Sequence, residues 1–235
     1  MALSNGDASL RGDVRGSDQV AERDLVAVVN RRLARPPRAA ANAAEGALAE
    51  AGSSCVGMAK PPPRTLPVRW DGVAQPRGID WALSNGTAGE PTTLCAVVAG
   101  VVPAYRGQGL GGVVIGRMVG LAAGHGFDSV LAPVRPNRKE NYPLIPIERY
   151  IMWRREDGYM YDPWLRTHER LGGELLEPAP RSLTVTGSRE EWEGWTDLQF
   201  PEDGDYIVPG ALVPVSFKDG VGTYTEPNVW MRHPV

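Results

Sequence analysis

The feature that most constrains this chain is one stretch, 92–124, in which an apolar run, a glycine-rich loop and a helical segment follow one another without a break. Residues 92–102 have the near-continuous apolar character of a strand buried on both faces. Residues 103–109 read as a loop, and 110–123 as a helix that ends at Gly124. A second apolar strand follows at 128–134. Strand, loop, helix, strand is a βαβ-like unit, and its crossover predicts parallel pairing of the two strands.

The loop reads Val101-Val102-Pro103-Ala104-Tyr105-Arg106-Gly107-Gln108-Gly109-Leu110-Gly111-Gly112. Glycines let a backbone approach a ligand with no Cβ in the way and permit unusual φ values. The free N–H groups and positive dipole end of the following helix favour an anion. Arg106 adds a donor fork suited to phosphate. Together these describe a pyrophosphate cradle. Gly107-x-Gly109-x-x-Gly112 also matches the dinucleotide fingerprint literally. That fold wants its first glycine directly after the strand and an acidic residue at the end of the next one. Here Pro103 to Arg106 intervene, and the next strand ends Ala132-Pro133-Val134-Arg135 with no carboxylate, so the dinucleotide reading loses.

Elsewhere the pattern is uneven. Residues 1–17 are polar and glycine-rich, a lead-in. Residues 18–33 follow a helical face, and 34–64 are rich in Ala, Arg and Pro with no clear strand. A short strand at 65–70 closes on Asp71-Gly72. Residues 147–155 read as a helix, and so do 164–171, where Asp162-Pro163 supplies a cap and first-turn pair and Gly172-Gly173 a stop. Short strands are expected at 183–187, 206–209 and 212–215. With 235 residues the chain can form one full α/β domain, and a net charge of −3 gives no basic field for nucleic acid or membrane. Cys55 and Cys95 make no disulfide framework, and His125, His168 and His233 do not join them at zinc spacing. No run is long enough to span a bilayer, and the start lacks a signal-peptide pattern, which predicts a cytoplasmic protein.

Arg106-Gly107-Gln108-Gly109-Leu110-Gly111 is a full match to the signature Arg/Gln-x-x-Gly-x-Gly/Ala, and with its Val-x-Pro-x-Tyr-Arg-Gly lead-in it resembles the GNAT (GCN5-related N-acetyltransferase) superfamily. The resemblance covers 92–136 closely and 160–187 more loosely. It implies a single α/β domain over 18–235: a mixed sheet with helices on both faces and a C-terminal β extension. In such proteins the loop amides hold the CoA pyrophosphate, and the end of the preceding strand pairs with the pantetheine arm where two parallel strands splay. By resemblance Val101, Val102, Arg106, Gly107, Gln108, Gly109, Leu110 and Gly111 bind the cofactor, joined by Asn137 after the second strand.

The resemblance further implies transfer of an acetyl or other short acyl group from acetyl-CoA, without a metal, to an amine of a small molecule by direct attack in a ternary complex. Many members protonate the departing thiolate with a Tyr in a Tyr-x-x-x-Gly-Phe pattern. Here His168-Glu169-Arg170-Leu171-Gly172-Gly173 stands in that place, which makes His168 the catalytic candidate, as proton donor or base. A His at this place resembles an atypical branch that includes decarboxylases of polyketide loading modules. A decarboxylase, an acyltransferase using an acyl carrier protein, and a silent CoA-binding module therefore stand as alternatives. Arg149, Arg154, Arg155 and Arg166 would form a carrier's docking patch. Tyr142, Tyr150, Glu140 and Glu148 are weaker acceptor-site candidates, while Cys95, Trp70, Trp81, Trp153 and Trp164 read as core.

Overall fold

A computed structural model describes residues 64–85, 90–98 and 108–235. Its elements in chain order are β1 (Arg64–Val68), α1 (Gly78–Asn85), β2 (Thr93–Val98), α2 (Leu110–Gly124) and β3 (Ser129–Val134). They continue with α3 (Ile147–Tyr150), α4 (Pro163–Arg170), β4 (Glu174–Ser188), α5 (Arg189–Thr196), β5 (Gly204–Tyr206), β6 (Val215–Lys218) and β7 (Val221–Pro234). The seven strands form one mixed sheet in the order β1-β2-β3-β7-β6-β5, with β4 also paired to β7. Only β2 and β3 are parallel, as the crossover through α2 requires.

The C-terminal strand organises this sheet. One edge of β7 takes β4 along most of its length. The other edge takes β3 from Val229 to Pro234 and β6 at Val221 to Thr223. The C-terminal strands thus complete the main sheet. Between β3 and β6 lies an edge gap, filled by Arg135, whose Nε donates to Glu226 (2.8 Å) and whose guanidinium also donates to the Gly210 carbonyl (2.5 Å). Tyr224 donates its hydroxyl to the same Glu226 oxygen, so Oε2 of the buried carboxylate accepts two hydrogen bonds.

Strand alternation divides the core between two faces. Cys95, Val97 and Leu131 face α1 and α5, and the buried Trp192, Phe200, Phe217 and Trp230 complete that cluster. Leu94 and Val130 face α2, which buries Val114, Met118 and Ala122 against them at helical spacing. Ala132 and Val134 face α3 and α4 through Ile147, Tyr150 and Leu165. Each such side chain, fully buried, stabilises the fold by about 1.5–3 kcal/mol. Helices therefore cover both faces, and α2 and α4 share one of them.

Local sequence explains most boundaries. Ser188 accepts from Glu191 N–H while the Glu191 side chain accepts from Ser188 N–H, a capping box that starts α5. Gly78 starts α1 at φ +33°, where a Cβ would collide with Ser182, and Ser182 Oγ accepts from Ile79 N–H (2.9 Å). The helix expected over 147–155 stops at Tyr150, and the chain turns so that Trp153 and Tyr161 pack around Tyr142 and Tyr150. The strand expected at 212–215 begins at Val215, because Leu212 instead gives its N–H to Tyr224 and its carbonyl to the buried Lys139 ammonium. The lead-in at 1–17 and the stretch 34–63 lie outside the described residues.

Candidate acyl-CoA site

At the lower end of the parallel pair the strands are stapled. Thr93 Oγ1 donates to the Ser129 carbonyl (2.6 Å), and both side chains are buried. Above this the ladder registers Leu94 with Val130 and Cys95 with Leu131, then stops among the described residues. β2 nevertheless continues to Val98 and β3 to Val134. Pro133, without an N–H, has no donor to extend a ladder there. Among the described residues the parallel pairing is thus confined to the lower parts of β2 and β3, and their C-terminal ends carry no paired register.

The N-terminus of α2 differs from those of the other long helices. Asp162 caps α4 and Ser188 caps α5, each through its side chain. Gly109 stands at the cap of α2 with φ +76° and provides no side-chain hydrogen bond, and among the described residues nothing lies within 4 Å of an added Cβ. No acidic residue occupies the first turn. Among the described residues the positive end of this helix is therefore left without a protein anion, the condition a phosphate site requires. Gly111 is needed for packing: a Cβ there would lie 2.6 Å from the Trp164 ring, so its absence lets α4 come against the first turn of α2.

Trp164 leads to the candidate histidine. One turn along α4, His168 stacks edge-on to Trp164 at 4.6 Å between ring centroids. His168 is 4% exposed, and its Nδ1 lies 2.8 Å from Nε2 of His233, which is 2% exposed. His168 Nε2 is buried with no hydrogen-bond partner. Burial pushes the His168 pKa down to about 3, and the His233 ring adds to the effect. His233 is also lowered by burial, against a hydrogen bond to the Leu171 backbone that favours its protonated form. His168 thus rests neutral.

This has a consequence for stability. The folded pKa of His168 lies below its ordinary 6.5, so the unfolded chain takes up a proton that the folded chain refuses. Its contribution is fully present above about pH 6.5 and is lost on acidification, amounting to about 2 kcal/mol between pH 7 and pH 5. Urea melts across that range should show the loss, and His168→Phe should flatten the slope.

No family model matches the chain. It is 35% identical over 189 residues, 71% of this chain, to "Arginine N-acetyltransferase avaD" of Aspergillus versicolor. The chain spans 63% of that protein's length. Among solved structures it is similar to the loading GNATL domain of CurA from Lyngbya majuscula, with TM-score 0.48, 16% identity, and coverage of 72% of this chain and 68% of that one. It is also similar to the GphF GNAT-like decarboxylase in complex with isobutyryl-CoA, with TM-score 0.45, 13% identity, and coverage of 73% and 70%. The printed activity of the relative from Aspergillus versicolor accords with the resemblance to the GNAT superfamily carried by Arg106 to Gly111.

Within this chain the sequence-predicted site residues separate. Gln108, Gly109, Leu110 and Gly111 form the entry to α2. Val101, Val102, Arg106 and Gly107 lie outside the described residues. Asn137 is exposed just past β3, and its N–H donates to Asp162 Oδ1 (3.2 Å), which ties the end of β3 to the start of α4. Glu140 and Glu148 are exposed. Tyr150 is buried and donates to Asp162, while Tyr142 shares a 2.9 Å hydrogen bond with Tyr161, so both serve the aromatic packing. Cys95 is fully buried and its thiol is pushed up to about 12 by burial, which makes it inert. Trp70, Trp81, Trp153 and Trp164, expected in the core, are only partly buried, and Trp192 and Trp230 are the buried indoles instead.

Of the arginines proposed for a carrier patch, Arg154 and Arg166 donate to backbone carbonyls and Arg155 pairs with Asp157. Three of the four are therefore engaged within the chain. Among the described residues no group of three ligating side chains could hold a metal, and no helix is long and apolar enough to cross a membrane. His233 was passed over in the sequence because it stands 65 residues from His168, and only the pairing of β7 with β3 brings it near.

Proposed function

We propose that this chain is an acyl-CoA-dependent N-acyltransferase that transfers an acetyl or other short acyl group to an amine of a small molecule. The observation that carries the reading is the end of β2–β3 pairing at Cys95 and Leu131, together with a start of α2 that has no side-chain cap. The named activity of the 35%-identical relative supports an amine acceptor and makes amino acids of the arginine type the first class to try. The reaction needs no metal, and the reading places the protein in the cytoplasm.

Acyl-CoA supplies a thioester whose carbonyl carbon accepts the amine. The chain's own residues bind and orient around it. The first turn of α2, with Gln108, Gly109, Leu110 and Gly111, holds the pyrophosphate together with Arg106 and Gly107, while Val101 and Val102 pair with the pantetheine arm and Asn137 contacts CoA. Neutral His168 takes the proton that the amine nitrogen must lose as the C–N bond forms. It then returns that proton to sulfur as the C–S bond breaks, so base and acid are one residue used in turn.

Thermal melting with acetyl-CoA, malonyl-CoA and NAD tests the binding half. A ligand at 100 times its dissociation constant stabilises by about 2.7 kcal/mol, which for a chain of this size raises the midpoint by about 5–10 °C. Acetyl-CoA should give that shift and NAD none. A larger response to malonyl-CoA would move the reading to a decarboxylase, and no response to either ester would overturn it.

A further inference from the structure

Resting on the acyltransferase reading, we infer that His233 is a positioning residue: it accepts the Nδ1–H of His168 and thereby leaves Nε2 of His168 as the unprotonated, reactive nitrogen. The two rings meet at 2.8 Å through His168 Nδ1 and His233 Nε2, and both are buried. One of these two nitrogens must carry the proton. The unpartnered Nε2 of His168 decides which, because a buried N–H without an acceptor is rarer and costlier than a buried lone pair left unused. The Leu171 backbone, which raises the His233 pKa, acts in the same sense. Nε2 of His233 is then a lone pair, Nδ1 of His168 is the donor, and Nε2 of His168 is bare. This is the atom that the fold leaves buried without a partner.

The surroundings hold this order in place. His233 is fixed by the β7–β3 ladder opposite Val130. Gly173 gives its N–H to the His168 carbonyl (2.8 Å), and a Cβ at Gly173 would lie 2.7 Å from His233 Cε1, so only glycine lets the two rings close. Among the described residues His233 is the one ionisable group that acts on His168, and no carboxylate acts on either ring. The adjacent Arg232 alternates to the other face of β7, where it lies over Trp70 and pairs with Glu174. A buried acceptor in a dry, neutral setting stays unprotonated until a substrate proton is presented to it.

The test joins ring-nitrogen NMR to kinetics. In the ¹⁵N-labelled wild-type protein, two-bond proton–nitrogen correlations should show His168 protonated at Nδ1 and bare at Nε2. His233→Leu removes the acceptor and should randomise that tautomer. It should lower kcat roughly tenfold to a hundredfold, as loss of an orienting partner commonly does, with KM for acyl-CoA unchanged. His233→Gln, whose amide oxygen can accept at nearly the same point, should restore the tautomer and recover most of kcat, and it covers the case in which the Leu variant does not fold. A wild-type His168 protonated at Nε2, or a His233→Leu protein with altered tautomer and full kcat, would overturn the inference. The NMR readout needs no turnover, so the Nδ1–H tautomer in a protein that transfers no acyl group would overturn the acyltransferase reading rather than the hydrogen-bond assignment.

Discussion

Asp162→Ala should destabilise the protein by about 3–5 kcal/mol, out of a total that for most domains is only about 5–15 kcal/mol. Asp162 is 1% exposed and accepts five hydrogen bonds. Trp164 and Leu165 N–H come from the first turn of α4, Asn137 and Arg138 N–H from the turn after β3, and the hydroxyl from Tyr150 on α3. The substitution removes a helix cap, worth about 1 kcal/mol alone. It also strands buried donors, each costing about 1–3 kcal/mol when no water can replace the acceptor. Three elements lose their common anchor, and α4 carries His168 with it. Asp162→Asn keeps an acceptor oxygen and should recover part of the loss. Denaturant unfolding of both variants checks this, and a loss below about 1 kcal/mol for the alanine variant would mean that the network is not the anchor described.

His168→Phe should lower acyl-transfer turnover by roughly 10²–10³-fold while leaving acyl-CoA binding and the fold intact. The separation of the two effects is the informative part. His168 contributes a buried Nε2 with no partner, which is a cost to the folded state, and phenylalanine removes it. The exchange also takes the donor from His233 Nε2, so the two changes roughly offset and net stability should move by no more than about 1 kcal/mol. A residue kept for packing would show the opposite pattern, with stability lost and turnover preserved. Steady-state kinetics, an acyl-CoA titration and a urea melt on the same preparation distinguish these outcomes.

What the sequence revealed follows from where its signals are local. The apolar run, glycines and helix of 92–124 and the Asp162-Pro163 cap each act within a few residues, and the described parts formed as read. The long C-terminal strand β7 was not legible because its buried positions include Glu226, Asn228 and His233, polar residues that mask an apolar pattern until their partners on other elements are known. Glu226 needs Arg135 and Tyr224, Asn228 needs Ser182, and His233 needs His168. The helix α5 did carry a local signal, the Ser188-x-x-Glu191 box before buried Trp192, and a search for that pattern would have found it. The site shows the same division. The anion-binding half proposed for it lies in one contiguous motif, whereas the proposed proton-transfer half joins a helix to β7.

The most direct test of the account is to incubate the protein with acetyl-CoA and a panel of small amines, arginine among them, and follow free thiol and product mass together. The account predicts thiol release that depends on one class of amine, with one acetyl group added to that amine for each thiol released. Thiol release that ignores the amine, or tight acetyl-CoA binding with no acetylated amine from a broad panel, would contradict it.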